Sequence, residues 1–283
     1  MTPKATARSL HGSHLAGSRA SSLKQPALTI APLSAPLQQA GLPAAKINPR
    51  QARRFAEAIG RLAKTDYCDA ALLARFGALI EPAVRPVSSP TLDAMRELHT
   101  ARCALIKDRT AALNRQKTIR SALLQRQNTQ RLRQIAAQLA AIDAELVALC
   151  AADDDLQARL AILESIPGIG QASALALLIA MPELGCLGQP QAASLAGLAP
   201  VARDSGRFQG KRSIRGGRAG LRQALYMPAL VAARFNPDLK AKYQALLQAG
   251  KPPKLAITVI MRKLLLLANA LLRDRRPWAP KLT

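Results

Sequence analysis

Residues 132–149 read LRQIAAQLAAIDAELVAL, and this stretch decides the fold class of the chain. Its apolar residues recur at alternating spacings of three and four, at Leu132, Ile135, Leu139, Ile142, Leu146 and Leu149. That period is typical of a helix whose apolar seam packs along a second helix. Asp153 interrupts the series once, and the seam resumes in register at Leu156, Leu160 and Leu163.

The preceding segment carries a weaker form of the same pattern. Apolar residues lie seven apart at Leu98, Leu105, Ala112 and Ile119. The other seam position falls on polar residues, at Arg102, Arg109 and Gln116. Two antiparallel helices, a seam between two copies of the chain, or ordinary helices of one core all fit this pattern. We predict a helical coiled-coil connector over residues 91–162.

Composition favours helix throughout. Aromatic residues make up only 3% of the chain, so its core must consist mainly of Ala, Leu, Ile and Val. Lys and Arg number 41 against 17 acidic residues, which gives a formal net charge of +24. A charge of this size indicates a polyanionic partner, most often a nucleic acid. A genome that favours arginine codons is the alternative cause.

The four cysteines, at positions 68, 103, 150 and 186, show no pair with the CxxC spacing of a zinc or redox site. They are typical of buried or incidental thiols in a reducing cytoplasm. Residues 255–272 are strongly apolar but contain Arg262 and Lys263, so we predict a buried core helix and no membrane partner.

The amino-terminal part of the chain differs from the rest. No Asp or Glu precedes Glu57, and residues 1–37 show no helical stripe, so we predict a disordered or unrelated leader there. Residues 44–48 could form one short strand that ends at Pro49. Residues 51–79 have a helical pattern with a possible break around Thr65, and a proline-rich linker follows.

A tight turn, Ile166-Pro167-Gly168-Ile169-Gly170, separates two apolar helical runs and resembles the hairpin of a helix-hairpin-helix module. At such a turn, Gly168 and Gly170 would let the backbone approach a phosphate. The next helix would present free N–H groups to that phosphate. The alternative is a plain helix connection in which glycine serves only for turning.

We predict residues 185–217 to be mostly loop, and a basic, glycine-rich stretch occupies residues 203–222. Its cations are Arg203, Arg207, Lys211, Arg212, Arg215, Arg218 and Arg222. Arginine forks match phosphate oxygens, and the interleaved glycines disfavour a simple helix surface. We therefore expect these seven residues to contact nucleic acid.

Two further features could carry chemistry. Asp66 and Asp69 would lie on one face of a helix, where two close carboxylates could form half of a Mg²⁺ site. Spacing alone is a weak signal, because most such pairs are simply solvated. Ser205, flanked by Asp204 and Gly206, could be a nucleophile among arginines, although a turn residue is the simpler interpretation.

Taken together, several motifs in order resemble the insertion-sequence transposases that act as bridge-RNA-guided recombinases. The end of that family's RuvC-like DEDD domain resembles Asn48-Pro49-Arg50-Gln51, Gly60-Arg61-Leu62-Ala63-Lys64-Thr65-Asp66 and Asp69-Ala70. Its carboxy-terminal transposase domain resembles the 166–170 turn, Gly197-Leu198-Ala199-Pro200, Asp204-Ser205-Gly206, Ile214-Arg215-Gly216-Gly217 and Ala224-Leu225-Tyr226-Met227.

The resemblance implies a function and a site. Family members hold Mg²⁺ with four acidic residues, of which Asp66 and Asp69 match the third and fourth. Ser205 matches the serine that forms a covalent phosphoserine link with DNA. The implied partners are DNA, a structured guide RNA and further copies of the chain.

The chain also departs from the family pattern. Family members begin with a strand that carries the first acidic residue, and a glutamate follows shortly before the region matching Gly41. Neither residue is present here, because the first acidic residue is Glu57. We therefore expect a truncated or replaced amino-terminal part and an incomplete metal site.

The predicted fold is mainly α with a small α/β remnant. It consists of a truncated RuvC-like domain (38–90), the coiled-coil connector (91–162) and a helical transposase domain with a helix-hairpin-helix (163–283). The predicted function is DNA transposition by site-specific, RNA-guided recombination, in a copy whose own activity is expected to be poor. One alternative is a non-catalytic regulatory protein that binds DNA or RNA, and another is a structural coiled-coil protein.

Overall fold

The computed structural model describes residues 45, 47–61, 63, 65–82, 89–202, 204–210 and 212–280. These residues are mostly helical, and each of their strands is two residues long. The mainly α class predicted from the sequence is confirmed. The chain divides into two compact units, Met1–Val87 and Ser88–Thr283.

The described part of the first unit contains two helices, α1 (Pro49–Ala58) and α2 (Asp66–Ile80). The break between them lies where the sequence predicts it. Thr65 begins α2, because its hydroxyl accepts a hydrogen bond from the Cys68 amide at 3.2 Å. The two helices pack together through an edge-to-face contact between Phe55 and Phe76, whose ring centroids are 5.3 Å apart.

The strand predicted over residues 44–48 is wrong at the positions that the structure describes. Ala45, Ile47 and Asn48 lie outside any strand, and residues 44 and 46 lie outside the described part of the chain. Asn48 instead caps α1, since its side-chain oxygen accepts from the Arg50 amide at 2.9 Å. Pro49 then occupies the first helical position, which its fixed φ suits. The predicted α/β remnant therefore has no strand among the described residues.

In its described residues, the second unit consists of helices with a group of short strands between α7 and α8. In chain order its elements are α3 (Pro90–Gln116), α4 (Ala122–Ala151), α5 (Asp154–Glu164), α6 (Gln171–Ala180), α7 (Gln189–Leu195), β1 (Pro200–Val201), β2 (Asp204–Ser205), β3 (Phe208–Gln209), β4 (Ser213–Ile214), α8 (Ala219–Phe235), α9 (Pro237–Gln248) and α10 (Pro253–Arg273). Helix α7 and these strands interrupt the region of residues 185–217, which the sequence predicts to be mostly loop.

Helices α3 and α4 form an antiparallel hairpin within one chain. Arg102 of α3 bonds to Asp143 of α4 at 2.5 Å, and the Asn128 amide donates to the Ala112 carbonyl at 3.1 Å. These contacts join residues at matching distances from the short connection, as antiparallel pairing requires. The seam residues predicted on α4 are buried or half-buried, at Leu132, Ile135, Leu139, Ile142, Leu146 and Leu149.

The single interruption of the seam at Asp153 has a structural cause. Asp153 ends the hairpin and caps α5, because its carboxylate accepts from the Leu156 amide at 3.0 Å. The seam then continues into the core of the second unit, where Leu156, Leu160 and Leu163 are buried.

Helix α10 lies at the centre of the second unit, where it packs against α5, α7, α8 and α9. Ile260, Leu264 and Leu265 are fully buried in this core, so the core helix predicted over residues 255–272 is confirmed. Two described helices, Ala122–Ala151 and Pro253–Arg273, are long and apolar enough to span a membrane by length and composition. The burial of the second explains its apolar character, because the core helix of a globular unit meets the same criteria.

Two titratable groups lie in and beside the base of the hairpin. Burial lowers the pKa of His99, and the neighbouring Arg102 cation lowers it further. Burial raises the pKa of the Cys150 thiol, and the carboxylates of Asp153 and Glu164 raise it further. Both groups are therefore uncharged at neutral pH. All four cysteines are free thiols.

Candidate nucleic-acid interface and catalytic residues

A narrow antiparallel ribbon projects between α7 and α8. Strand β1 pairs with β4, so that Val201 faces Ser213, and β2 pairs with β3, so that Ser205 faces Phe208. Gly206 and Arg207 make the two-residue turn at the end of the ribbon. Gly206 adopts a φ of 56°, which favours glycine at the first position of such a turn. We call residues 200–215 the arginine ribbon.

Ser205 lies beside the turn of the arginine ribbon, and its side chain is exposed. The preceding residue, Asp204, is turned back into the ribbon, where its carboxylate accepts from the Gly210 amide at 3.1 Å. That bond closes the β2–β3 hairpin and fixes the backbone on either side of Ser205. The ribbon therefore presents one hydroxyl at its outer end, accessible to a large substrate.

The cations of the arginine ribbon are displayed around Ser205. Arg207 follows it in the turn, and Arg212 and Arg215 flank β4; all three are exposed. Arg203 and Lys211, which were also predicted to bind nucleic acid, lie outside the described residues. The three described arginines can approach phosphate oxygens without first breaking an ion pair, because none bonds a carboxylate in the described part of the chain.

The last two predicted cations, Arg218 and Arg222, form hydrogen bonds within the protein. The Arg218 guanidinium donates two hydrogen bonds, 3.0 and 2.8 Å long, to the Glu183 carboxylate. It donates a third to the Ala180 carbonyl at 2.5 Å. Arg222 donates to the carbonyls of Gly216 and Ala196. These bonds tie the base of the arginine ribbon to α6 and α7. They give Arg218 and Arg222 a structural role that the sequence analysis did not assign.

Two glycines let the chain segments at the base of the ribbon pass in close contact. Gly197 and Gly217 have φ values of 67° and 62°, and their backbones touch. A Cβ at Gly217 would lie 2.2 Å from the Gly197 nitrogen, closer than any side chain permits. The base of the arginine ribbon therefore depends on glycine at both positions.

We expect Gly217→Ala to lower the free energy of unfolding by about 1–3 kcal/mol more than Gly216→Ala. Both substitutions place alanine at a positive φ, 62° and 72° respectively, but nothing lies within 4 Å of a Cβ at Gly216. The difference between the two urea-unfolding midpoints isolates the cost of the close contact. Equal midpoints would show that the segments do not need to touch.

The turn at residues 166–170 connects α5 to α6, and its two glycines have different roles. Gly168 has a φ of 109° and packs so tightly on α8 that a Cβ would lie 2.8 Å from the Pro228 carbonyl. Gly170 is exposed at the start of α6, has no side chain to cap that helix, and has nothing near its Cβ position. Gly168 thus shapes the turn, while Gly170 leaves the first N–H groups of α6 open to an anion.

Asp66 and Asp69 occupy the first turn of α2, in the first unit. Asp66 is exposed and Asp69 is half-buried. Their spacing of three places both carboxylates on one side of the helix, near its positive end, which stabilises negative charge. The pair belongs to the first unit and Ser205 to the second.

The two carboxylates fit a Mg²⁺ ion as part of its ligand set. Mg²⁺ prefers hard oxygen donors and commonly binds one or two protein carboxylates while keeping several waters. The residues that the structure describes contain no group of three or more His, Cys, Asp and Glu side chains able to hold a metal. Asp66 and Asp69 could therefore supply at most two of the ligands of such an ion.

Phe208 is a candidate site residue that the sequence analysis did not identify. It is directly across the ribbon from Ser205, and its side chain is 67% exposed. Cross-strand partners lie on the same face of a ribbon, and an exposed aromatic ring can stack on a nucleic-acid base. The signal in the sequence was an isolated aromatic residue in a stretch otherwise rich in glycine and arginine.

Comparison with known protein families finds two matches that together cover most of the chain. Residues 160–244 match the family described as "Transposase IS116/IS110/IS902 family". Residues 23–126 match the DEDD domain of IS110 elements, described as "Transposase". The second match begins inside the predicted leader of residues 1–37 and includes Asp66 and Asp69. The first includes Ser205.

Individual relatives agree with these matches. The chain is 33% identical over 246 residues to the pilin gene-inverting protein of Moraxella bovis, covering 82% of this chain and 73% of that protein. The Moraxella lacunata protein of the same name is 32% identical with the same coverage. An uncharacterized 42 kDa protein of insertion element IS900 from Mycobacterium paratuberculosis is 41% identical over 93 residues, 32% of this chain and 23% of that protein.

Proposed function

This chain belongs to the IS116/IS110/IS902 family of transposases, and from that premise we propose that it recombines DNA through Ser205 with Mg²⁺ held in part by Asp66 and Asp69. The observation that carries the proposal is the exposed Ser205 hydroxyl, fixed at the end of a ribbon of exposed arginines. Relatives named for inverting a pilin gene support it, because inverting a DNA segment is a recombination reaction.

The chemical step that we propose exchanges one phosphoester bond for another. The Ser205 oxygen attacks the phosphorus of a DNA phosphodiester and forms a phosphoserine ester. One deoxyribose oxygen leaves and takes up a proton, while the serine proton passes to water, which reaches this exposed hydroxyl. The number of phosphoester bonds does not change in this step. A second DNA end can therefore later displace the serine and complete strand exchange.

The surrounding groups would stabilise the charge that develops on the phosphate. Arg207 and Arg212 can donate to its non-bridging oxygens, where charge increases in the transition state. When bound, Mg²⁺ would neutralise charge on a DNA phosphate. Asp66 and Asp69 would hold that ion, and Phe208 would stack on a base beside the attacked bond. Gly170 and the free N–H groups of α6 would hold a second phosphate without reading sequence.

A structured guide RNA and assembly into a homo-oligomer complete the proposed mechanism. Contacts between arginines and phosphates carry no sequence information, and base pairing to an RNA would supply the choice of sequence. The net charge of +24 is ample for binding both nucleic acids. We place the protein in the bacterial cytoplasm, at the nucleoid.

We further propose that this 283-residue chain recombines DNA poorly by itself, because no acidic residue precedes Glu57 to complete the metal site. The test is a complemented chain, in which residues 41–283 follow the amino-terminal segment of a family member that carries the two missing acidic residues. We expect the complemented chain, given Mg²⁺, donor and target DNA and its RNA, to recombine at least tenfold faster. Equal rates would show that the natural chain has a complete site.

The second candidate function is non-catalytic binding of DNA or RNA by a protein derived from a transposase. The incomplete set of carboxylates favours it. Under this alternative, Ser205→Ala and Asp66→Ala would change no activity of the natural chain, whereas loss of the ribbon arginines would still weaken binding.

DNA binding by the arginine ribbon makes a separate prediction. We expect the triple substitution Arg207→Gln, Arg212→Gln and Arg215→Gln to weaken binding to duplex DNA about tenfold at 0.1 M salt. The slope of log K against log salt should shrink by roughly 0.9 for each lost phosphate contact. Fluorescence anisotropy over a salt series measures both quantities.

The matched control for this prediction neutralises three exposed lysines elsewhere in the second unit, at Lys240, Lys242 and Lys251. If this control weakens binding as much as the ribbon variant does, net charge alone accounts for DNA affinity and the ribbon has no special role.

A further inference from the structure

Positive charge is concentrated at one end of the α3–α4 hairpin. We define the distal tip as residues 106–133, which include the end of α3, the connection and the start of α4. Its basic residues are Lys107, Arg109, Arg115, Lys117, Arg120, Arg126, Arg131 and Arg133. The tip contains one acidic residue, Asp108. None of the residues of the proposed reaction lies in the distal tip.

The basic residues of the distal tip differ from those at the base of the hairpin in their partners. At the base, Arg96 pairs with Asp93 at 2.6 Å and Arg102 with Asp143 at 2.5 Å. All eight basic side chains of the tip are exposed, and none forms an ion pair with a described residue. The tip thus concentrates unneutralised positive charge at the end that is remote from the core.

This charge is held on an ordered framework. The buried Asn128 side chain donates to the Ala112 carbonyl at 3.1 Å and joins the two helices within the tip. The Gln125 side chain donates to the Ile119 carbonyl at 3.1 Å, and the Thr118 hydroxyl to the Arg115 carbonyl at 3.0 Å. These bonds close the connection between α3 and α4, so the backbone that carries the cations has a defined shape.

The dimensions of the distal tip suit a nucleic-acid duplex. Eleven helical residues, 106–116, span roughly 16 Å at 1.5 Å per residue. Duplex DNA carries one phosphate for each ~1.7 Å of its axis, or about nine over that length. The eight cations of the distal tip are therefore comparable in number to these phosphates. A groove that includes part of the tip contains one carboxylate, Asp108, one cation, Arg131, and four amide donors able to bond phosphate or sugar oxygens, at Gln127, Gln130, Gln134 and Gln138.

We propose that the distal tip is a second DNA-binding surface, which contacts the phosphate backbone of duplex DNA without reading its sequence. The inference rests on the proposed function in that DNA is the substrate of the chain. Exposed apolar residues at the tip, such as Leu123 and Leu124, could instead favour a second copy of the chain. Two tips brought together would, however, oppose their like charges, whereas duplex DNA neutralises them.

The test compares two variants of the full chain. The tip variant carries Arg109→Gln, Arg115→Gln, Lys117→Gln and Arg120→Gln, and the control variant neutralises Lys240, Lys242, Lys251 and Lys254, which are also exposed. The probe is a 40-base-pair duplex of arbitrary sequence, titrated by fluorescence anisotropy over a salt series. A 40-nucleotide RNA hairpin and the mass of the protein by light scattering are measured in parallel.

We expect the tip variant to bind the DNA duplex at least tenfold more weakly at 0.1 M salt. Its salt slope should fall by roughly 3, and the control variant should change affinity less than twofold. The proposal is overturned if the tip variant binds the duplex as tightly as the natural chain does. It is equally overturned if only RNA binding is lost, or if the variant changes the oligomeric mass and DNA affinity follows that change.

This result is separable from the chemistry at Ser205. Binding to the duplex requires no covalent step. If Ser205 forms no adduct while the tip variant still loses duplex affinity, only the proposed reaction is refuted. If Ser205 forms the adduct while the tip variant keeps the duplex affinity of the natural chain, only the second DNA-binding surface is refuted.

Discussion

Replacing Ser205 with alanine is expected to lower covalent attachment of the complemented chain to DNA by a factor on the order of 10³ or more. The substitution removes the only hydroxyl at the end of the arginine ribbon, and no other nucleophile occupies its position in the turn. Because the side chain is exposed and makes no described hydrogen bond, its loss should leave folding and DNA affinity unchanged. Denaturing gels that resolve protein–DNA adducts measure the effect.

The control for this prediction is Ser213→Ala, which removes another exposed hydroxyl from the same ribbon. Adduct formation by this control should stay within about twofold of the complemented chain. If Ser205→Ala retains full adduct formation, Ser205 is a turn residue and the proposed reaction is wrong.

The second large effect is expected at Asp66 and Asp69. In the complemented chain, Asp66→Asn or Asp69→Asn should lower recombination by roughly 10²-fold or more, because an amide neither carries charge nor binds Mg²⁺ as a carboxylate does. Higher Mg²⁺ concentrations should restore part of the rate. DNA affinity measured without Mg²⁺ should rise or stay equal, since each change removes a negative charge that repels phosphate.

Glu57→Gln supplies the control for the metal site. Glu57 is an exposed carboxylate of the same unit, and it pairs with Arg53 at 3.5 Å. Its neutralisation should leave the Mg²⁺ dependence of recombination unchanged. An identical loss with Glu57→Gln would indicate a general effect of charge on the first unit and would remove the metal-binding role of Asp66 and Asp69.

Local sequence patterns were sufficient to predict most of the helical framework. The seam over residues 132–149 depends only on spacing, and Asp153 interrupts it by a local capping bond to Leu156. The core helix of residues 255–272 was predicted because two charges in its middle disfavour a membrane span. Such features are encoded within a few residues of one another.

Features that depend on long-range contacts could not be predicted. The strands of the arginine ribbon are two residues long, too short to show an alternating pattern, so their region was predicted to be loop. The ion pair between Arg218 and Glu183 joins residues 35 apart in the sequence, so no local pattern indicated it. The strand predicted before Pro49 failed for a local reason, since Asn48 caps a helix there.

The candidate site was predicted in part. The resemblance to a transposase family identified Ser205, Asp66 and Asp69, while the structure adds that Ser205 is exposed on a closed ribbon and that Phe208 faces it. It also separates two kinds of arginine. Arg207, Arg212 and Arg215 are free to meet phosphate, and Arg218 and Arg222 support the ribbon from within.

The measurement that tests the central claim most directly is the identity of the residue that becomes covalently attached to DNA. Trapped adduct from the complemented chain is digested with nuclease and trypsin, and its peptides are sequenced by mass spectrometry. Cleavage after Arg203 and Arg207 releases residues 204–207, in which Ser205 carries the only hydroxyl. We predict a nucleotide on this peptide; a nucleotide on any other residue, or its persistence in Ser205→Ala, would contradict the proposed mechanism.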